Sequence, residues 1–248
     1  MSSVIKSIIN GVIFFLIVVV LYTIIYFIIG NELIIASPLK TAIEALKLLT
    51  DKGFYISLLF TLLRVIIAFL ISFFLAIIFV LISKKSKVFS SFISLLVGGM
   101  RSLPTLAVLL LILVAVSRSF APVIVCVLSL FPIFYKDIKS GIDRTENNLS
   151  NLLKVYKISK KDKVFKVYIP SMAKSIIKDA SSGLSFSLKL IISAEILANV
   201  YKSVGALMQN SSVYMENAKL TALTLAVCLI GVLIEFIGEI FVARLGEY

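Results

Sequence analysis

Histidine is absent from the 248-residue chain, and cysteine occurs only twice. Without histidine the chain lacks the commonest acid–base catalyst at neutral pH and the commonest metal ligand, and a Ser-His-Asp nucleophile system cannot be built. The sequence also has no GxxxxGK[ST] phosphate loop, no CxxC and no HExxH, which are the usual motifs of ATP, redox and zinc sites. We therefore expect no enzymatic activity and no cofactor bound by this chain itself.

Charge is also scarce, since 15% of residues are charged, 60% are hydrophobic and the mean hydropathy is +1.10. A water-soluble domain has about a quarter charged residues, so the composition indicates a membrane protein. Cys126 and Cys228 lie in apolar runs and are predicted to be small buried hydrophobes. The net charge of +12 is compatible with nucleic-acid binding, but orientation in a membrane explains the same charges. We expect contact with the lipid bilayer and none with nucleic acid.

Apolar runs long enough to cross a bilayer occur six times. A hydrocarbon core of about 30 Å needs roughly 20 apolar residues in a helix, and the third run is interrupted by Gly98-Gly99 and Pro104, so we predict a break there. The fold class predicted is all-α, with residues 1–248 forming one polytopic transmembrane domain. The six spans are predicted at about 8–30, 56–83, 92–117, 119–137, 180–200 and 219–242.

The distribution of lysine orients these spans. Segment 138–178 carries ten Lys or Arg against three acids, and a positive excess between spans marks the cytoplasmic side. The short basic turn 84–87 indicates the same side, whereas segment 31–55 shows no positive excess. Six spans then place both termini in the cytoplasm. On the outer side, Ser37-Pro38 is typical of an N-cap followed by proline, which predicts a short surface helix over about 38–50.

Ionisable residues inside the spans are candidates for a functional role, such as lining a pathway, because a charge at membrane depth is costly unless it is paired or faces water. Lys189 precedes Glu195 by six residues, about 240° round a helix, so the two cannot pair on one face. Glu195 must then meet another helix, a partner subunit or a wet cavity, and a pathway role and an interhelix pair both stay open. For Arg64, near the outer end of its span, a functional role and a helix-anchoring or ion-pair role both stay open. The pathway candidates are Arg64, Arg101, Lys189 and Glu195, together with Pro104, which follows Arg101 at the predicted break.

The basic segment before the fifth span ends in a hydrophobic-x-hydrophobic-proline pattern formed by Val167, Ile169 and Pro170. This pattern resembles the end of the cytoplasmic E-A-A-x3-G-x9-I-x-L-P segment of bacterial ABC importer permeases, and the nitrate/sulfonate/taurine/bicarbonate-type group in particular. Lys157 then stands at the glycine position, and the turn is expected to shift towards Ile158-Ser159, with Ser159 capping the second helix. The E-A-A positions fall on Asn151, Leu152 and Leu153.

Further elements resemble that family in the same order over residues 37–240. They are Ser37-Pro38, Ser57-Leu58 with Arg64-Val65, the stretch from Met100 to Pro104, Phe131-Pro132-Ile133 with Gly141, Ala194-Glu195 with Lys189, Ser203-Val204-Gly205, and Glu235.

The resemblance implies the transmembrane permease subunit of an ABC importer in the bacterial cytoplasmic membrane. It implies a second permease subunit, with a homodimer expected, and an extracytoplasmic substrate-binding protein on the outer loops. A separate ATPase subunit would bind ATP and dock on two short coupling helices within 151–170. The alternatives are a self-contained channel or secondary transporter, for which internal repeats are usual and none is evident, and a membrane-embedded assembly factor.

Overall fold

The structure, a computed structural model, describes residues 19–32, 34–155 and 169–244 and the isolated positions 13 and 17; over 145–155, 169–178 and 243–244 it describes the backbone alone. The described residues form helices and no strands. The helices are α1 (Val19–Ile29), α2 (Pro38–Leu48), α3 (Lys52–Ser83), α4 (Lys87–Ser102), α5 (Thr105–Ala115), α6 (Ala121–Val155), α7 (Ile169–Ala198), α8 (Val204–Val213) and α9 (Asn217–Arg244).

Helix α3 forms one wall of the bundle. Its N-terminus is capped by Asp51, whose carboxylate accepts a hydrogen bond from the Gly53 amide at 2.7 Å. Its large apolar side chains are mostly exposed, as suits lipid, whereas its buried positions recur every three or four residues and are mostly small. Small residues let membrane helices approach closely, and α3 packs on α6, α7 and α8; Thr61 in this stripe is bonded to α7 and α8. The stripe consists of Ser57, Thr61, Val65, Ala68, Ser72, Ala76, Val80 and Ser83.

The centre of the bundle is an aromatic cluster between α3, α6 and α7. The Phe134 ring of α6 meets Phe69 and Phe73 of α3 edge-to-face, at centroid distances of 5.4 and 5.6 Å. On α7, a Cβ added to Gly183 would lie 2.5 Å from the same Phe134 ring. Glycine at this position therefore makes room for the ring that joins the three helices.

Four described helices are long and apolar enough to cross a membrane, and the count is five if the bent pair α4–α5 is one span. They match the second, fourth, fifth and sixth predicted spans. The first predicted span, 8–30, lies largely outside the described residues, and its described helix is α1, which has 11 residues. The third predicted span breaks as expected, between Ser102 and Thr105, but its halves meet at 98° and do not form a straight crossing.

The basic segment predicted between the fourth and fifth spans, 138–178, is helical at both of its ends. Helix α6 continues to Val155, and α7 already begins at Ile169. Residues 138–155 contain no proline and only one glycine, and that glycine costs the helix only about 1 kcal/mol. The buried side chain of Ile142 holds this part of α6 against the bundle. Pro170 stands in the first turn of α7, where its missing N–H costs no helical hydrogen bond. The polar composition of this region therefore does not end the helices.

Side-chain contacts define the two ends of the bundle. At one end, the Ser83 and Tyr135 hydroxyls are 2.9 Å apart and Lys84 pairs with Asp143 at 2.5 Å, which joins α3 to α6. We call this the Lys84 end. At the other end, which we call the α8 end, α2 packs against α9. The segments predicted to share the outer side are therefore together in the structure.

The predicted short helix is confirmed as α2, because the Ser37 hydroxyl accepts a hydrogen bond from the Lys40 amide at 3.2 Å and proline follows. Lys40 also pairs with Glu32, and this carboxylate raises the pKa of the exposed Lys40 ammonium. Among the cysteines, Cys126 is buried as predicted, but Cys228 is exposed. The correction for Cys228 follows from α9, which lies at the edge of the bundle and buries little of its apolar surface.

Candidate functional site

The most highly connected polar group inside the bundle is the carboxylate of Glu195, which is 0% exposed. On α3, Arg64 donates from Nη1 to Glu195 Oε1 at 2.8 Å, and the Thr61 hydroxyl lies 2.9 and 3.1 Å from the two carboxylate oxygens. On α8, the Gly205 amide donates to Oε2 at 3.3 Å. We call Thr61, Arg64, Glu195, Val204 and Gly205 the Glu195 cluster. It joins three helices in one network.

Two of the three helices in this network present their groups through simple helix geometry. Thr61 and Arg64 are separated by one turn and so share a face of α3. Helix α8 presents backbone amides at its N-terminus, because the first turn of a helix has no internal acceptors for them. The Val204 amide donates to the Thr61 hydroxyl at 3.0 Å, next to the bond from Gly205 to Glu195. The negative charge is thus placed at the positive end of the α8 dipole.

Close approach at this point requires glycine at position 205. A Cβ added there would lie 2.4 Å from Glu195 Cβ and 2.7 Å from the backbone nitrogen of Ile196. The obstacle includes the α7 backbone, which cannot rotate aside. The Ser203-Val204-Gly205 and Ala194-Glu195 elements, picked out separately in the sequence, therefore meet as one interface.

The arrangement is suited to holding helices together, because every charged group in it has a partner. Burying a carboxylate costs several kcal/mol, and the guanidinium, hydroxyl and amide donors offset that cost. Arg64 is 13% exposed, and its bond to Glu195 makes it an ion-pair partner. Thr61 was not identified from the sequence, although a hydroxyl one turn from an arginine in an apolar helix is a usable signal.

Arg101 and Pro104 lie together at the break between α4 and α5, away from the Glu195 cluster. Leu103 is extended, with φ −72° and ψ 130°, as expected for a residue before proline. Pro104 then forms the N-terminal boundary of α5. Arg101 is in the last turn of α4 and is exposed. Lys189 is also exposed, on a face of α7 that does not carry Glu195, so the structure does not bring these three residues together with Arg64 and Glu195.

The predicted coupling residues lie at the connection between α6 and α7. Asn151, Leu152 and Leu153 are in the last two turns of α6, and Ile169 and Pro170 are the first residues of α7. The remaining three, Lys157, Ser159 and Val167, lie outside the described residues. In the part of the chain that is described, no group of three cysteine or acidic side chains converges as a metal site.

The sequence from 68 to 247 matches the family of binding-protein-dependent transport system inner membrane components. This match covers most of the chain, including α4–α9 and Glu195, so the chain belongs to that family. A comparison with curated proteins finds no match. The protein is therefore a multi-pass membrane permease component of binding-protein-dependent transport.

Proposed function

We propose that the chain is the permease subunit of an ABC importer, in which it forms the substrate pathway and a separate ATPase subunit supplies the driving force. The observation that carries this proposal is the family match over 68–247, which includes the connection between α6 and α7. ATP is bound by the partner subunit in this scheme, and this chain needs no cofactor.

The shape of α6 and α7 supports a mechanical role for their connection. Helix α6 has 35 residues and α7 has 30, whereas a hydrocarbon core of about 30 Å needs roughly 20 helical residues. Both helices are therefore longer than a crossing requires, by about 15 Å or more. A force applied to residues 151–170 would be transmitted along these two long helices. Both pack in the centre of the bundle through Phe134 and Gly183.

The remaining partners are proposed from the family resemblance, and the two ends of the bundle indicate where each would bind. A second permease subunit, expected to be a second copy of this chain, would complete the pathway, and alternation between inward and outward openings would follow ATP-driven closure of the ATPase pair. The substrate-binding protein would dock at the α8 end, and the Lys84 end would face the bacterial cytoplasm. The nitrate/sulfonate/taurine/bicarbonate-type group is the subgroup proposed.

Co-purification after mild solubilisation tests the proposal. We expect an ATPase subunit encoded with this chain to remain bound to it. Pro170→Ala, and charge reversal of the lysines within 157–163, should release the ATPase or uncouple ATP hydrolysis from transport. Pro38→Ala is the matched control, because Pro38 also stands in the first turn of a helix but at the α8 end.

Reconstitution separates the importer from a self-contained channel or secondary transporter. Liposomes containing the chain alone should show no substrate flux, and flux should require the ATPase, the binding protein and ATP. Flux through the isolated chain without ATP would contradict the proposal. Full ATPase binding and coupled transport by both coupling-segment variants would contradict the assigned role of 151–170.

A further inference from the structure

A cavity of about 280 Å³ between α4 and α6 is used neither by the Glu195 cluster nor by the coupling segment. Three of the side chains that line it are cationic and one is a carboxylate. Gly98 of α4 also lines the cavity. A Cβ added to Gly98 would meet nothing within 4 Å, so this side of the cavity has room for a ligand. The charged residues are Arg101, Lys136, Lys139 and Asp143.

The positive charge of this cavity is only partly neutralised by the protein. The Asp143 carboxylate is bound by Lys84 from outside the cavity. Arg101 and Lys136 are exposed and make no hydrogen bond to another described side chain, although Asp137 is within electrostatic reach of both. The cavity therefore presents excess cationic charge to whatever enters it.

Lys139 is held in position as a donor. Its ammonium donates to the Ser90 and Ser94 hydroxyls of α4 at 2.8 and 3.2 Å and lies 5.5 Å from the centre of the Tyr135 ring. A lysine ammonium has three N–H donors, so two bonds orient the group and one donor is available to a ligand. Arg101 adds a planar fork suited to two oxygens of one oxyanion.

The cavity lies where the apolar part of the bundle ends. Tyr135 is at the level of Ser83, the last residue of α3, and Lys84 follows directly. Basic pockets between transmembrane helices at this depth are suited to anionic lipid head groups. At mid-membrane the same three charges would be very costly.

We propose that this cavity binds an oxyanion, and specifically the phosphate group of an anionic lipid in the leaflet at the Lys84 end. Arg101 and Lys139 hold the phosphate oxygens, and Lys136 supplies further positive charge at the open side. The same chemistry would accept free phosphate, so the experiment distinguishes the two sources. Lipid binding at this site is separate from the transport activity proposed above and can be measured without ATP.

Thermal unfolding of the delipidated, purified full-length chain tests this site. Short-chain phosphatidylglycerol should raise the melting temperature in a saturable way, whereas phosphatidylcholine with the same acyl chains should not. Lys136→Gln should raise the half-saturating lipid concentration about fivefold. Replacing Arg101, Lys136 and Lys139 together with glutamine should raise it about a hundredfold. Arg118→Gln is the control, because Arg118 is an exposed charge in the turn before α6. It should leave the half-saturating lipid concentration unchanged.

A second variant tests the cavity without altering its charge. Gly98→Leu should fill the space and weaken phosphatidylglycerol binding at least tenfold, whereas Gly99→Leu, about 100° round the same helix, should not. Stabilisation by inorganic phosphate, with no further gain from the lipid, would support the oxyanion site and assign it to a soluble anion. Equal stabilisation by both lipids, or wild-type binding by Lys136→Gln and Gly98→Leu, would overturn the proposal.

Discussion

Replacing Gly205 with alanine should destabilise the protein by forcing α8 away from α7. The added Cβ would lie 2.4 Å from Glu195 Cβ, 2.7 Å from the Ile196 nitrogen and 2.8 Å from the Glu195 carbonyl carbon. Ordinary van der Waals contact begins at about 3.4 Å. A rigid shift of about 1 Å is thus needed, because two of the obstructing atoms belong to the α7 backbone.

Overpacking and lost hydrogen bonds set the magnitude. Inserting a methyl group into a packed interior costs about 1–3 kcal/mol. If α8 moves instead, the amide bonds from Val204 to Thr61 and from Gly205 to Glu195 are stretched, at about 1 kcal/mol each. Both routes lead to a loss of about 1–3 kcal/mol. For a chain of this length that loss lowers the melting temperature by about 2–12 °C.

Circular dichroism of the purified protein in detergent, followed during heating, measures this change. Gly231→Ala is the matched control, because Gly231 is also helical but an added Cβ would meet nothing within 4 Å. Alanine there should leave the melting temperature unchanged or raise it, since it favours helix by about 0.5–1 kcal/mol. Equal melting temperatures for the two variants would refute the close approach of α8 to α7.

Three further predictions concern the interior. Glu195→Ala should lower the free energy of unfolding by about 3–5 kcal/mol, because it leaves the largely buried guanidinium of Arg64 without its carboxylate. Glu195→Gln should cause a smaller loss in the same melting assay, and equal losses would contradict the network. Ser83→Ala and Tyr135→Phe should each lower the free energy of unfolding by about 1 kcal/mol. In a double-mutant cycle the double variant should lose about as much as either single variant, because both remove the same hydrogen bond. Gly183→Ala should lower the melting temperature because its Cβ would lie 2.5 Å from the Phe134 ring, and an unchanged value would argue against that packing.

The membrane helices and the caps of short helices could be predicted from the sequence because both depend on neighbouring residues in the chain. Hydrophobic length alone located the cores of α3, α6, α7 and α9. Ser37-Pro38 placed the start of α2, and Pro104 placed the break before α5. The extent of α6 was missed because composition changes at the membrane boundary, whereas the helix ends only when its backbone bonds and packing end.

The sequence alone also determined that Glu195 and Lys189 cannot pair, since helix periodicity separates them, but only the tertiary structure decided what Glu195 meets. Its partners lie 131 residues away on α3 and ten residues away at the start of α8, beyond the end of its own helix. The 98° bend and the convergence of Arg101 with Lys136 and Lys139 were decided in the same way. Such contacts depend on how whole helices pack, and local residue patterns carry no information about the distance between separate helices.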